Sequence, residues 1–95
     1  MEFSKKEKDL MKRVGEELRK LRKEACYSSY EAFAIDIEMD SGQYGCYERG
    51  ENITLISLYR LLTHHELRLD QFYERVFEEH RTKDSKIIQM KTKNQ

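Results

Sequence analysis

The residues able to do covalent chemistry are few and poorly spaced for it. Cys26 and Cys46 form neither a C-x-x-C pair nor a zinc-spaced set with His64, His65 or His80, so no metal centre is expected. No nucleophile has a base at a recognisable spacing, no glycine-rich loop could cradle a phosphate, and no pair of carboxylates has a reason for a shifted pKa. An enzyme is excluded on these grounds, and no cofactor is expected. Compartment logic favours two reduced thiols over a disulfide. The remaining chemistry is non-covalent recognition. Its donors and acceptors concentrate between Ser29 and Gly50, where hydroxyls, one amide (Gln43) and one guanidinium (Arg49) interleave with tyrosines and small residues.

That stretch holds two short helical patterns back to back. Ser29 can cap the first, with Glu31 or Ala32 in its first turn and Phe33, Ala34 and Ile37 facing inward. Met39-Asp40 makes a turn, and Asp40 can cap a second helix to about Tyr47, with Tyr44 and Tyr47 on its apolar side. Gly50 is the expected stop. Two short helices joined by a tight turn make a helix-turn-helix, at about 29–48, whose second helix commonly enters the DNA major groove.

The flanking elements must position this unit. Leu10, Val14, Leu18, Leu21 and Ala25 recur at three- and four-residue spacing, which predicts a long amphipathic helix from Lys5 to Ala25. Gly15 within it costs about 1 kcal/mol relative to alanine, so a close helix contact is expected there. Thr54 should cap a fourth helix carrying Leu55, Leu58, Leu61 and Leu62, which ends at His64-His65-Glu66. Asp70 should open a fifth, with Phe72, Tyr73, Val76 and Phe77. Because these four make that helix apolar on more than one side, they are the expected dimer interface. The fold class is therefore all-α: a five-helix domain over 1–80 and a polar, basic tail over 81–95, the latter disordered or ordered only by a partner.

Ninety-five residues suffice for one domain with a modest core. No apolar run approaches ~18 residues, and the first residues lead into charge, so no membrane association and a cytoplasmic location are expected. The formal net charge is zero, but it is unevenly spread. Residues 1–27 carry nine Lys/Arg against six Asp/Glu, residues 28–51 one against six, residues 52–80 three against five, and residues 81–95 five against one. A basic footprint normally supplies most nucleic-acid affinity. Here the helix-turn-helix is acidic and the cations lie at both ends of the chain.

The order of these signals resembles the Cro/phage-repressor (XRE) family of helix-turn-helix regulators over roughly Val14 to Tyr73. The carriers are Leu18-Arg19-Lys20-Leu21-Arg22-Lys23, then Ser29, Glu31 and Ala34, then Tyr44, Tyr47, Glu48 and Gly50, and the closing Leu58, Leu61, Leu67, Leu69 and Phe72. The resemblance implies a lambda-repressor-like domain: a sequence-specific regulator, acting as a homodimeric repressor on a palindromic operator in double-stranded DNA. It also implies that Ser41, Gly42, Gln43, Gly45 and Cys46 meet base edges. Gln43 is the best reader among them, since its amide can pair bidentately with adenine. Phosphate contacts would fall to Ser29, Tyr30, Arg22, Lys23, Arg49 and Asn52. The competing reading keeps the fold but makes it a protein-interaction module whose acidic face docks another regulator or a toxin, or mimics DNA. The charge count favours that alternative; the order of caps, core and stop favours DNA.

Overall fold

The computed structural model describes residues 2–78; the predicted tail, 81–95, lies outside them. Five helices follow one another, with no strand among the described residues: α1 (Lys5–Glu24), α2 (Tyr30–Asp36), α3 (Ser41–Glu48), α4 (Leu55–His64) and α5 (Leu69–Val76). The chain is all-α, as the periodicity predicts.

Each start has a local cause. The Ser4 hydroxyl accepts the Glu7 N–H at 3.2 Å while the Glu7 carboxylate accepts the Ser4 N–H at 2.7 Å, a reciprocal capping box that satisfies two otherwise orphaned donors. Ser29 accepts the Ala32 N–H at 3.2 Å, Asp40 the Gln43 N–H at 2.9 Å and Thr54 the Ser57 N–H at 3.1 Å. The fifth start departs from expectation. Its cap is Arg68, whose N–H donates to the Gln71 side-chain oxygen at 3.0 Å, and Asp70 sits inside the first turn paired with Arg68. Leu67 and Leu69 pack against the core, which fixes the chain's entry two residues before the carboxylate that the sequence offers as a cap.

The endings share one geometry. After α1, α2, α3 and α4 the chain turns through a left-handed residue: Cys26 (φ 72°), Glu38 (φ 59°), Gly50 (φ 92°) and Glu66 (φ 53°). At each, the following N–H reaches back five residues to a helix carbonyl (Tyr27 to Arg22, Met39 to Ala34, Glu51 to Cys46, Leu67 to Leu62), the Schellman pattern. Only one of the four has the glycine that this backbone favours.

The core joins all five helices: Leu18, Ala34, Tyr44, Leu61 and Phe72 are each fully buried. In α1, Val14, Leu18 and Leu21 are buried, whereas Leu10 is 42% exposed and Ala25 lies at the surface, so the apolar stripe overruns the core at both ends. Gly15 makes the expected close contact. A Cβ there would lie 2.6 Å from the carbonyl oxygens of both Tyr47 and Glu48, so only glycine lets α1 rest on the end of α3. Across the domain, Arg75 of α5 donates to the buried Glu17 of α1 at 2.7 Å.

The expected dimer residues split in two. Phe72 is fully buried and Val76 is 8% exposed, so both belong to the core and neither can meet a partner; Tyr73 and Phe77 are each 38% exposed. The 72/76 pair and the 73/77 pair lie about 100° apart around the helix. Packing on α1 and α4 turns the first pair inward and leaves the second at the surface.

Candidate functional site

α2 and α3, joined through Ile37–Asp40, form the helix-turn-helix, and their contact is built on small and aromatic residues. Gly45 faces Tyr30 so closely that a Cβ would lie 2.7 Å from the tyrosine ring. Gly45 is thus a packing residue of the α2–α3 seam, buried rather than offered to a base edge. Tyr44 is fully buried and Tyr47 is 6% exposed; Phe33 packs on Tyr44 with ring centroids 5.1 Å apart. Burial with the Glu48 carboxylate nearby pushes the Tyr44 hydroxyl well above its ordinary pKa, so it stays neutral.

The outer side of α3 carries Gly42, Gln43, Cys46 and Arg49, with Ser41 half-buried at its start. Gln43 is exposed, and its amide nitrogen donates to the Tyr47 hydroxyl at 2.7 Å. That bond directs the amide from the rim of the buried tyrosine and holds it in one orientation. Arg49 is also exposed, with one nitrogen on the Cys46 sulfur at 3.2 Å. The Cys46 thiol is held above its usual pKa, chiefly by Glu51, so it is a neutral donor and not a thiolate. Ser29 and Tyr30 are half-buried at the start of α2, while Lys23 and Asn52 are exposed on either side of the unit.

Arg22 must be withdrawn from the phosphate-contacting set. It is 4% exposed, and its guanidinium forks onto Glu48, with Nε to Oε2 at 2.7 Å and Nη2 to Oε1 at 3.1 Å, while Nη1 donates to the Tyr27 carbonyl at 2.8 Å. The pairing with Glu48 raises the arginine's pKa further, so it is a permanent internal cation. It ties α1 to the end of α3 and closes the turn after α1. The pairing leaves the outer surface of α2 and α3 without that positive charge.

His65 lies behind the same surface. Its ring stacks on Phe33 of α2 (centroids 5.1 Å apart, planes 17° apart), and its Nε2 is buried without a hydrogen-bond partner. Burial lowers its pKa and keeps it neutral. The exposed charges of the unit are mostly negative: Glu31, Asp36, Glu38, Asp40 and Glu51 are all at the surface. One cation was overlooked: Arg60 of α4, exposed, borders a shallow groove with Gln43, Met39 and His64. Periodicity marks Arg60 as an outward residue of α4, but only the fold places it beside Gln43.

Comparison with known proteins gives one significant similarity. Over 54 residues the chain is 39% identical to the control protein C.MunI of Mycoplasma sp, a stretch covering 56% of this chain and 73% of that protein. No protein-family model matches the chain. No solved structure matches it significantly. Among the described residues, no helix is long and apolar enough to cross a membrane.

Proposed function

This chain belongs to the family of the control protein C.MunI, and we propose that it is a DNA-binding transcriptional regulator that reads a palindromic operator as a homodimer. The observation that carries this reading is the helix-turn-helix itself. α3 is capped by Asp40, anchored by buried Tyr44 and Tyr47, and presents Ser41, Gly42, Gln43, Cys46 and Arg49 outward. Such a helix fits the major groove, where the oriented Gln43 amide matches the donor–acceptor edge of adenine. Ser29, Tyr30, Lys23, Arg49 and Asn52 flank it as phosphate contacts. Repression is the expected outcome of operator occupancy.

Dimerisation in this reading uses Tyr73 and Phe77, the two exposed aromatics of α5. A two-fold axis would then set two copies of α3 about 34 Å apart, one turn of the duplex. Fluorescence anisotropy with the DNA upstream of the protein's own gene, against a scrambled duplex, tests the function. Gln43→Ala should lose about 1–3 kcal/mol of discrimination at one base pair, and Phe77→Asp should lower both the sedimenting mass and operator affinity. Unchanged affinity and unchanged base preference in Gln43→Ala would show that α3 does not read bases.

One observation favours a second reading. The surface around α2 carries Glu31, Asp36 and Glu38 beside Ile35, which is 70% exposed. An acidic rim about an apolar residue suits a basic protein partner, and on that reading the domain docks another protein and binds DNA weakly. Wild-type protein that fails to bind either duplex at low salt would select it.

A further inference from the structure

The recognition unit holds one exposed cation, Arg49, among five exposed carboxylates, so phosphate affinity has to come from elsewhere in the domain. The close approach of α1 to α3 shows where. Gly15 meets the carbonyls at the end of α3, and a Cβ on Gly50 would lie 3.0 Å from the Lys12 Cα, so the middle of α1 rests on the turn that follows the third helix. At about 100° per residue, Arg22 falls within about 20° of Gly15, which agrees with its bond to Glu48. Val14, Leu18 and Leu21 lie about 60–120° to one side of Gly15, and all are buried. On the other side, within about 80°, lie Lys8, Lys12, Arg19 and Lys23. All four are exposed, and none makes an ion pair among the described residues.

We infer that Lys8, Lys12, Arg19 and Lys23 of α1 form a phosphate-gripping ridge that runs along the seam with α3 and takes one strand of the DNA backbone. The inference rests on the DNA-binding reading and deepens it. From Lys8 to Lys23 the helix rises about 22 Å, the length of about six nucleotides of one strand at 3.4 Å each. The ridge is interrupted by Glu16, with Asp9 at its outer margin, and it remains net positive. Its long, unpaired side chains can follow a backbone without any requirement for base sequence, which fits a surface whose reading groups are neutral. Lys6 and Lys20, two other exposed cations of α1, make a natural control: they point about 140–180° away from Gly15, toward the side that carries Glu24 and the α5 contact.

The test uses the full chain, a labelled duplex of its own upstream DNA and a scrambled duplex, with affinity measured as salt rises. For Lys12→Gln/Arg19→Gln, the slope of log K against log salt should fall by about 1.8 on both duplexes, since each phosphate contact contributes about 0.9. Base preference should stay fixed, and Arg19→Lys with Lys12→Arg should restore the slope. Lys6→Gln/Lys20→Gln should leave the slope within about 0.5 of wild type. Equal losses in the two pairs would mean a general charge effect and overturn the ridge, as would an unchanged slope in the first pair. A wild type that binds neither duplex would overturn the DNA-binding reading and the ridge with it. Thermal melts verify that the exposed substitutions leave the fold intact.

Discussion

Substituting Arg22 separates a structural cation from a DNA-contacting one. The guanidinium satisfies three acceptor positions, two on Glu48 and one on the Tyr27 carbonyl, at 2.7–3.1 Å, and both side chains of the pair are less than 10% exposed. Arg22→Met would preserve most of the side-chain volume but leave the Glu48 carboxylate buried without a counter-charge. Removing one partner of a buried pair costs about 3–5 kcal/mol, and a pair at a helix seam in a small domain belongs at the lower end, about 3. A domain of this size has a total stability of about 5–15 kcal/mol, so the variant should still fold. Its melting temperature should fall by about 12–24 °C, at 4–8 °C per kcal/mol. The double variant Arg22→Met/Glu48→Leu should recover much of that loss, because no unpaired charge remains. Urea denaturation of the wild type, both single variants and the double variant measures the coupling directly. The reasoning is refuted if Arg22→Met unfolds within about 1 kcal/mol of wild type while its DNA salt slope drops by one contact. That result would place the guanidinium on phosphate and not on Glu48.

Three further outcomes follow from the seams and turns. Gly15→Ala would push a methyl group to 2.6 Å from two backbone carbonyls that cannot yield; overpacking costs about 1–3 kcal/mol, more than the roughly 1 kcal/mol alanine returns in helix propensity, so thermal melts should show a net loss. Glu38→Gly should stabilise by about 0.5–1 kcal/mol in urea, because relief of the left-handed backbone (φ 59°) exceeds glycine's extra unfolded-state entropy. The third concerns His65, which meets Phe33 of α2, His64 of α4, Glu24 of α1 and Arg75 of α5. Its folded pKa is depressed, so the unfolded chain binds the proton more readily. Stability should be complete above about pH 6.5, the ordinary histidine value, and fall as pH drops through the lower folded value. His65→Phe should flatten that part of the pH profile, and an unchanged profile would remove the assignment.

Local rules made much of this fold readable and left the pairings between helices hidden. Ser29, Asp40 and Thr54 act as caps because a short side-chain oxygen satisfies a donor within its own first turn, a relation contained in four residues. Ser4-Lys5-Lys6-Glu7 carries the same kind of signal and was legible, though α1 was placed only by its apolar stripe. Periodicity gave α5 two candidate faces, 72/76 and 73/77, but which one turns inward depends on how α5 meets α1. The Arg22–Glu48 bridge spans 26 positions, so nothing local separates Arg22 from its exposed neighbour Lys23. The family resemblance implied that Gly45 meets a base edge, whereas the Tyr30 ring already occupies the space beside it. The turns at Cys26, Glu38 and Glu66 lacked their usual marker, glycine, and tertiary packing imposed them.

The electrostatic balance of the domain bears on how many copies must bind together. Phosphate neutralisation by the four proposed ridge residues and Arg49 of one chain corresponds to a salt slope of about −4.5. A slope that shallow would leave little affinity at physiological salt, the more so with five exposed carboxylates close to the recognition helix. Two copies related by a two-fold axis would double the contacts to about ten, at the top of the 6–10 that give strongly salt-dependent binding, and steepen the slope to about −9. On the proposed function, neutral readers such as Gln43 would contribute discrimination and the paired ridges grip. The stoichiometry and the slope are thus linked quantities. Wild-type protein should titrate as two chains per operator with a slope of about −9, and Phe77→Asp should bring it to one chain with a slope of about −4.5. A steep slope retained by a strictly monomeric Phe77→Asp protein would break that link, placing the grip outside the ridge.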